Sequence, residues 1–570
     1  MILVPQEKID DYTARGWWGQ RTLVDYFRDN VAAHPSRLAV VDAPNRGDFT
    51  EGAPRRLTYA ELDAEVRRCC MALIELGLRK DDIVVVQLPN IVEQFVLYLA
   101  CAALGIVVSP VPIQYREHEL DHVLRHTQAH AVITCTRIGH HAHAQMLCQL
   151  QPHHPALRAI LAFGATLPAG VIGLATRMAA QPDTGALAQH FLRHPVSAND
   201  VFTICWTSGT EAQPKGVPRS HNEWLIVAPA IVEGAQLAPG CCLLNPFPLV
   251  NMAGLSTNFA AWVVLGATVV QHHPFKLDVF LSQIREEGID YTVAAPAILN
   301  QLLQNEHLLA GIDFTRLARI GSGSAPLSEW MVRGFHDRYG VQLVNYFGSN
   351  EGASLTGGPV DIPDPAMRAR FFPRAGVAGF DWTISTTRKI KTRLVDPATG
   401  ADINQAGIAG ELRFTGPTIF SGYFKAPELT ARAFDAQGYY RTGDMFEIGG
   451  ALGEFYRYVG RSKDIVIRGG MNISSEEIEN LIIGHPKVRE AAIIGYPDDI
   501  MGERVCACIA PAEGASLTLE EITSFLRLEK QIAVYKLPER LHLIDTLPRN
   551  PVGKVLKRVL RECVTPATPS

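Results

Sequence analysis

Long uncharged apolar stretches are missing from this sequence of 570 residues. The most apolar stretch, residues 98–112, is shorter than the roughly 20 residues of a membrane-spanning helix, and it contains Gly105 and Pro110. The first residues also lack a basic segment followed by an apolar one, because Glu7 and Asp10 come early. We therefore expect no membrane span, no signal peptide and a cytoplasmic location, with residues 98–112 forming a buried helix that continues into a strand.

An excess of one charge sign is missing as well, since 53 basic residues face 58 acidic ones and the net charge is -5. This balance disfavours nucleic acid and anionic membranes as partners. The 11 cysteines include no CxxC pair, which excludes the usual disulfide frameworks and zinc sites. Cys506 and Cys508 alternate along an apolar run, so we expect reduced thiols on one face of a strand.

The chain is too long for one hydrophobic core and should form a large body and a smaller domain. Between residues 57 and 321, short apolar runs alternate with amphipathic segments, which predicts an α/β fold built of parallel subdomains. Residues 57–77, for example, carry apolar side chains at helical spacing. After about Asp381 the pattern changes to strands broken by Gly and Pro, which indicates a small antiparallel section or β-barrel.

From Gly460 onward the chain starts again with a strand, a charged helix and another strand. The pattern predicts a separate α+β unit of ordinary domain size. We place the boundary near Lys463, which gives an N-terminal domain of residues 1–462 and a C-terminal domain of residues 463–570.

The sharpest local motif is residues 207–216, TSGTEAQPKG, which follows the apolar run that ends at Trp206. Small hydroxyl residues and glycine let backbone N–H groups converge on phosphate oxygens, and Lys215 adds a positive charge. The spacing is not that of a Walker A loop. On this segment alone a polar turn remains the alternative.

Residues 345–352, NYFGSNEG, also follow an apolar run. An aromatic residue beside glycine can offer a flat surface to a purine, and Glu351 can hold a magnesium ion that bridges phosphates. Upstream, residues 321–327, GSGSAPL, leave backbone uncovered, so that a planar ring could lie directly against it.

Three further clusters carry charged side chains that could contact a nucleotide. Asp444 in YRTGD could accept both hydroxyls of a ribose, and Arg461 in GRSKD could reach ribose or phosphate oxygens. Residues 547–554, LPRNPVGK, would present Lys554 on a Pro/Gly-rich loop. Each cluster taken alone could equally be a plain turn.

In this order and spacing the motifs resemble the adenylate-forming superfamily of acyl-CoA synthetases, aryl acid ligases, nonribosomal adenylation domains and luciferases. The resemblance runs from residue 57 to residue 558. It implies a body with a small β-barrel, a mobile C-terminal domain and an ATP-dependent acid:CoA ligase, an enzyme that forms a carbon–sulfur bond. It also implies ATP, Mg²⁺ and coenzyme A as cofactors.

The resemblance assigns a role to each site residue. Lys554 and Glu351 would be catalytic, with Glu351 as the magnesium ligand. Lys463 would be the hinge, and Gly469 and Gly470 would line the path of the CoA thiol arm. Nucleotide binding is implied for residues in the motifs quoted above: Thr207, Ser208, Gly209, Thr210, Lys215, Gly323, Ser324, Ala325, Asn345, Phe347, Asn350, Asp444 and Arg461.

The expected acid is cyclic, aromatic or of medium chain length, because small residues leave room for an acyl group. Its pocket would be formed by residues of the motifs GSGSAPL and NYFGSNEG and of residues 248–254, PLVNMAG: Asn251, Met252, Gly323, Gly348 and Gly352. An acceptor other than free CoA, a carrier protein, stays open, as does a homodimer. Glu211 and Ala212 depart from the family pattern in the phosphate loop, which leaves a non-catalytic nucleotide-binding relative as a third alternative.

Overall fold

The computed structural model describes residues 1–181, 186–207, 214–324, 326–461, 464–468, 471–498, 501–530, 532, 534–550 and 553–564. The predicted α/β class is confirmed, because two large sheets of mainly parallel strands form the body. In the first sheet only the last two strands pair antiparallel. Its strands are, in spatial order, Ile172–Gly173, Ala159–Phe163, Ala131–Cys135, Ile83–Gln87, Val107–Pro110, Val201–Thr207 and Lys215–Ser220.

The second sheet has one antiparallel strand at each edge and parallel strands between them. Its strands are, in spatial order, Ser354–Gly357, Gln342–Gly348, Arg319–Gly323, Tyr291–Val293, Cys242–Asn245, Thr268–Gln271, Leu38–Val41 and Arg56–Thr58. Each apolar run of residues 57–321 that alternates with an amphipathic segment forms a strand in one of the two sheets, as the pattern predicts.

A five-stranded antiparallel sheet follows the body sheets, and the prediction of an antiparallel section is confirmed. Its strands are, in spatial order, Phe371–Pro373, Phe455–Arg461, Tyr440–Gly449, Gly410–Thr415 and Lys391–Val395. The two edge strands do not pair among the described residues, so this section is an open sheet and not the expected β-barrel. One edge strand has three residues and ends at Pro373, which has no backbone N–H group to pair with another strand and close a barrel.

The last sheet lies in the C-terminal part of the chain and begins at Val466. Its strands are Met471–Ile473, Val466–Arg468, Gly502–Pro511, Val488–Asp498 and Arg540–Leu543. Cys506 and Cys508 lie on one of these strands, both are buried, and all 11 cysteines are free thiols, as predicted.

Helices cover the faces of the sheets. The α-helices are Gln6–Ala14, Leu23–Ala33, Arg46–Phe49, Tyr59–Glu75, Val92–Leu104, Glu117–Thr127, His143–Leu150, Leu174–Ala179, Ala186–Arg193, His221–Leu225, Ala228–Val232, Met252–Gly254, Ala261–Leu265, Leu277–Glu286, Pro296–Gln304, Glu329–Tyr339, Pro365–Arg370, Pro427–Ala433, Ser475–Ile482, Leu519–Ser524 and Lys557–Val564. Short 3₁₀ or π turns are Gln151–His153, Leu255–Ala260, Glu306–Leu309, Ser385–Arg388, Phe525–Glu529 and Val534–Lys536.

Helix Tyr59–Glu75 illustrates how the sequence sets an element. The Thr58 hydroxyl accepts a hydrogen bond from the Glu61 amide, and the Glu61 carboxylate accepts one from Thr58, so a capping box starts the helix. Its apolar stripe, from Leu62 to Leu73, is buried as predicted. No helix within the described ranges combines the length and the apolar character that crossing a membrane requires.

Candidate active site

A large cleft of about 2360 Å³ brings together strand ends of the body, the antiparallel sheet and the C-terminal part of the chain. Thr207, Gly323 and Gly348 each end a strand of a body sheet and line this cleft. Ligands of open α/β sheets bind beyond the carboxyl ends of the strands. The cleft is therefore where the fold itself favours a binding site.

Glu351 lies in a tight turn after strand Gln342–Gly348 and is 6% exposed. Its Oε1 atom accepts a hydrogen bond of 2.9 Å from the Tyr423 hydroxyl. The next residue, Gly352, has φ +98°, and a Cβ there would lie 1.8 Å from the Thr418 carbonyl oxygen. Only glycine fits this turn, and the turn fixes where the Glu351 carboxylate points.

Arg219 supports the turn that carries Glu351, a role that was not predicted from the sequence. Its guanidinium donates to the carbonyl oxygens of Asn350 at 3.2 Å, Glu223 at 2.6 Å and Thr418 at 3.1 Å. The side chain is fully buried, and this burial lowers the pKa of its guanidinium. The one signal in the sequence was a basic residue in the short strand that follows the phosphate loop.

Asn350, which the sequence assigned to the nucleotide, uses its amide within the protein. Its Nδ2 atom donates to the Trp206 carbonyl at 3.1 Å, and its Oδ1 atom accepts from the Met252 amide at 2.7 Å. The side chain thus ties the Glu351 turn to the end of strand Val201–Thr207 and to the turn at Met252.

Asn345 and Phe347 occupy one wall of the cleft on strand Gln342–Gly348. The Asn345 amide nitrogen donates to the carbonyl oxygens of Arg368 at 3.1 Å and Ala369 at 3.2 Å. The ring of Phe347 packs edge-on against Phe446, with 5.1 Å between the ring centroids. Both side chains are therefore fixed by the protein itself.

Gly323 and Ser324 follow the neighbouring strand. A Cβ at Gly323 would lie 2.4 Å from the Tyr346 carbonyl oxygen, so the two strands need glycine there to approach each other. Ser324 has φ +67°, a left-handed conformation that is uncommon for a residue with a side chain. Backbone strain of this kind occurs most often at functional sites.

Asp444 and Arg461 pair across two strands of the antiparallel sheet. The Asp444 Oδ1 atom is 3.1 Å from Arg461 Nε and accepts a hydrogen bond of 3.2 Å from the Tyr458 hydroxyl. Asp444 is 3% exposed, and burial raises the pKa of its carboxyl group although Arg461 and Lys554 act in the opposite direction.

Lys554 enters the same cleft from the C-terminal part of the chain. Its loop is fixed by the Asn550 side chain, whose Oδ1 atom accepts from the Lys554 amide at 2.8 Å. The residue is exposed by its accessible surface, although many protein atoms surround the ammonium within the cleft. This burial and the nearby Arg461 lower the pKa of Lys554 to about 8, whereas Asp444 and Glu476 raise it.

Glu476, on helix Ser475–Ile482, is a second residue that the sequence reasoning missed. It lines the cleft, and burial raises the pKa of its carboxyl group to about 8 against the attraction of Lys557 and Lys554. The neighbouring Lys557 is held by Glu479, with 2.7 Å between Nζ and Oε1. The C-terminal face of the cleft therefore carries two lysines and two carboxylates close together.

The predicted phosphate loop is described only at its two ends. The Thr207 hydroxyl accepts a hydrogen bond of 3.3 Å from the Lys215 amide, and the Lys215 ammonium lies over the Tyr423 ring, 5.3 Å from its centroid. The remaining predicted site residues lie outside the described part of the chain: Ser208, Gly209, Thr210, Ala325, Lys463, Gly469 and Gly470. The same holds for Glu211 and Ala212.

The predicted acyl pocket is only partly consistent with the geometry. Asn251 and Met252 line the cleft, and a Cβ at Gly348 would have only ordinary contacts, the nearest 3.6 Å away. The Asn251 side chain accepts from the Gly254 amide and caps a helix. At Gly352 and Gly323 a Cβ would lie 1.8 Å from the Thr418 carbonyl oxygen and 2.4 Å from the Tyr346 carbonyl oxygen, so backbone packing alone requires glycine at both positions.

The carboxylate of Glu351 is a suitable ligand for a magnesium ion. Among the described residues no three His, Cys, Asp or Glu side chains form a metal cluster. Mg²⁺ in nucleotide sites is held by one or two carboxylates together with phosphate oxygens and water. Glu351, buried at the cleft with Tyr423 on one oxygen, meets that requirement.

Two family profiles match the chain. The profile described as AMP-binding enzyme matches residues 27–424, and the profile described as AMP-binding enzyme C-terminal domain matches residues 477–554. The first match includes Glu351 and the second includes Lys554.

Similar proteins cover nearly the whole chain. The chain is 31% identical to a medium-chain fatty-acid–CoA ligase of Escherichia coli (strain K12), over 97% of this chain and 92% of that protein. It is 29% identical to a 2-hydroxy-7-methoxy-5-methyl-1-naphthoate–CoA ligase of Streptomyces carzinostaticus, over 98% and 96%. Among solved structures, ATP-bound MatB from Rhodopseudomonas palustris is similar with a TM-score of 0.78 and 25% identity, over 96% and 99%.

Proposed function

Because this chain belongs to the AMP-binding enzyme family, we propose that it is an ATP-dependent acid:CoA ligase. It joins a carboxylic acid to AMP with release of pyrophosphate and then transfers the acyl group to the thiol of coenzyme A. The observation that carries this proposal is that Glu351, Asp444, Arg461 and Lys554 all line one cleft.

In the first reaction a carboxylate oxygen attacks the α-phosphorus of ATP, and the bond from that phosphorus to the bridging oxygen of pyrophosphate breaks. Negative charge grows on the oxygens around phosphorus. Lys554 supplies an ammonium at this point, in a cleft where low exposure to water strengthens the attraction. Pyrophosphate leaves with the electron pair of the broken bond.

The nucleotide would lie between the two body strands and the antiparallel sheet. Asn345 donates its amide hydrogens to protein carbonyls, which leaves the amide oxygen to accept from the adenine amino group. Phe347 would stack on the ring, opposite the backbone at Gly323 and Ser324. Asp444 would accept the ribose hydroxyls.

Thr207 and Lys215, with the loop between them, would bind the outer phosphates. A magnesium ion held by Glu351 would neutralise charge on those phosphates. Arg219 keeps the Glu351 turn in place and Arg461 orients the ribose side of the nucleotide. Asn350 acts indirectly in this arrangement, because both ends of its amide contact protein groups.

For the second reaction we propose two domains, residues 1–462 and 463–570, that change their relative orientation about Lys463. The movement would withdraw Lys554 and admit the CoA thiol past Gly469 and Gly470. The thiol sulfur then attacks the acyl carbon, AMP leaves, and the thiol proton passes to solvent or to AMP. A separate sheet that begins at Val466 supports a boundary here.

The acid would be cyclic, aromatic or of medium chain length. Phe247, Val250 and Met252 form an apolar wall of the cleft, and Gly348 leaves space beside Met252. The similarity to ligases named for a medium-chain fatty acid and for a naphthoate supports an acid of medium chain length or an aromatic acid.

Acid-dependent pyrophosphate release and acyl-CoA formation, measured over acetate, hexanoate, octanoate, benzoate and salicylate, test the proposal. We expect release with one of the larger acids and conversion to its CoA thioester. Release without any thioester would contradict the CoA step, and a parallel assay with a carrier protein then tests that acceptor. No release with any acid would support the non-catalytic alternative.

A further inference from the structure

Helix Val92–Leu104 is buried along its whole length, yet one side of it is polar. Gln94 and Tyr98 are spaced by four residues and so lie one above the other on the helix, and Asn90 lies in the bend that leads into the helix. Their exposures are 0% for Asn90, 1% for Gln94 and 0% for Tyr98. Glu93, the other polar residue of this helix, is paired separately with Arg46 at 2.9 Å.

The three side chains hold one backbone segment. Asn90 Nδ2 donates to the carbonyl oxygens of Asn245 at 3.3 Å and Phe247 at 2.8 Å. The Tyr98 hydroxyl donates to the Leu249 carbonyl oxygen at 2.8 Å, and Gln94 Nε2 donates to the Tyr98 hydroxyl at 3.2 Å. The carbonyl groups of residues 245, 247 and 249 are thus held by this helix and by the bend that precedes it.

We call residues 245–252 the wall segment, because Phe247, Pro248, Val250, Asn251 and Met252 line the cleft. Its far end is held as well, since the Met252 amide donates to Asn350. A shift of the backbone at Leu249 would therefore move the apolar wall of the cleft while both ends of the segment stay attached.

Two acceptors of this polar stripe lack a partner among the described residues. The amide oxygens of Asn90 and Gln94 are buried and have no hydrogen-bond partner in the described part of the protein. An unpaired buried acceptor costs stability, and apolar side chains of similar size would avoid that cost. The donors of the stripe, in contrast, are all used on or next to the wall segment.

We propose that Asn90, Gln94 and Tyr98 are positioning residues that set the acid specificity of the enzyme by fixing the backbone of the wall segment. This inference rests on the proposed function, which places the acyl group against that wall. The residues act through the wall segment and make no contact of their own with the reacting atoms.

Tyr98→Phe tests the inference, with Tyr59→Phe as the matched control. Tyr59 is also fully buried, and its hydroxyl donates to the Ala267 carbonyl oxygen at 2.7 Å, whereas Ala267 is not among the described residues that line the cleft. Each variant removes one hydroxyl that donates to a backbone carbonyl, and Tyr98→Phe also removes the acceptor of the Gln94 amide. Both should lower the melting temperature, Tyr98→Phe by somewhat more.

The readout is kcat/KM for octanoate and for benzoate in pyrophosphate release by the full-length chain, together with KM for ATP. In Tyr98→Phe the ratio of the two kcat/KM values should change by about fivefold. The KM values for the two acids should differ from those of the wild type, whereas KM for ATP should stay the same. In Tyr59→Phe the ratio should be that of the wild type.

Equal ratios in wild type and Tyr98→Phe would overturn the inference and leave the proposed function intact. The same change of ratio in both variants would also overturn it, because a general loss of stability would then explain the effect. If the wild type releases no pyrophosphate with any acid, the proposed function fails, and the inference fails with it.

Discussion

The two sides of the cleft are built differently. On the body side, which here includes the antiparallel sheet, Glu351 and Asp444 are almost fully buried. Each accepts a hydrogen bond from a tyrosine hydroxyl. On the C-terminal side, Lys554 is exposed to the cleft, and its ammonium has no ion pair among the described residues. The carboxylates of the body side are held in place by neighbouring side chains, whereas the C-terminal side presents the Lys554 charge on a loop.

This difference indicates a division of labour. A carboxylate held by buried neighbours keeps its geometry whether or not substrate is present, which is the preorganisation that electrostatic catalysis requires. If residues 463–570 rotate as proposed, Lys554 contributes only while that part of the chain faces the nucleotide. Body residues should therefore affect binding and metal use, and Lys554 should affect the adenylation rate.

Removing the Lys554 charge should give the largest effect. In Lys554→Ala we expect adenylation to fall by about a hundredfold or more, since the transition state loses a few kcal/mol of charge stabilisation. Lys487→Ala is the control, because Lys487 lies in the same part of the chain and pairs with Glu521. Pyrophosphate release measures both, and an unchanged rate in Lys554→Ala would contradict the division.

Neutralising the body carboxylate should have the next largest effect. Glu351→Gln should lower adenylation about thirtyfold, because an amide binds Mg²⁺ more weakly than a carboxylate does, and higher Mg²⁺ should restore part of the loss. Glu287→Gln, at a pair with Arg56, is the control. A Mg²⁺ dependence identical to that of the wild type would argue against a metal role for Glu351.

Raising the pH should remove the Lys554 charge without a mutation. The pKa of Lys554 is about 8, and the ammonium is the cationic form, so its contribution is present below pH 8 and lost above it. The kcat/KM for adenylation should then fall about tenfold from pH 7 to pH 9. Lys554→Arg should be slower but should lack this decline, and a persistent decline would assign it to another group.

The smallest effect should come from removing the hydrogen bond that holds the Asp444 carboxylate. Tyr458→Phe removes the hydrogen bond to Asp444 and should raise KM for ATP about fivefold with little change in kcat. Tyr456→Phe is the control on the same strand, because its hydroxyl bonds to Thr392 at 3.1 Å. Equal effects of the two variants would show that the loss is structural.

Much of this architecture follows from local sequence pattern. Alternating apolar runs and helical stripes, such as that of residues 57–77, are set by near neighbours and predicted the body sheets correctly. Closure of the antiparallel section depends instead on whether two distant edge strands pair, and periodicity carries no information about that. The expected barrel was wrong for this reason.

The site divides in the same way. Glu351 stands in a short motif that follows an apolar run and Asp444 in the short motif YRTGD, so both could be singled out from neighbouring residues. The role of Arg219 could not, because its three acceptor carbonyls belong to residues 223, 350 and 418. The amide of Asn350 was likewise assigned to a ligand because its contacts with Trp206 and Met252 form only in the fold.

The open space at Gly348 has a practical consequence. A Cβ there would lie 3.6 Å from the Ala353 carbonyl oxygen and 4.0 Å from the Met252 side chain, both ordinary contact distances. Under the proposed function, side chains of increasing size at this one position would progressively narrow the space for the acid. Gly348, unlike Gly352, is a natural starting point for redesigning which molecules the enzyme accepts.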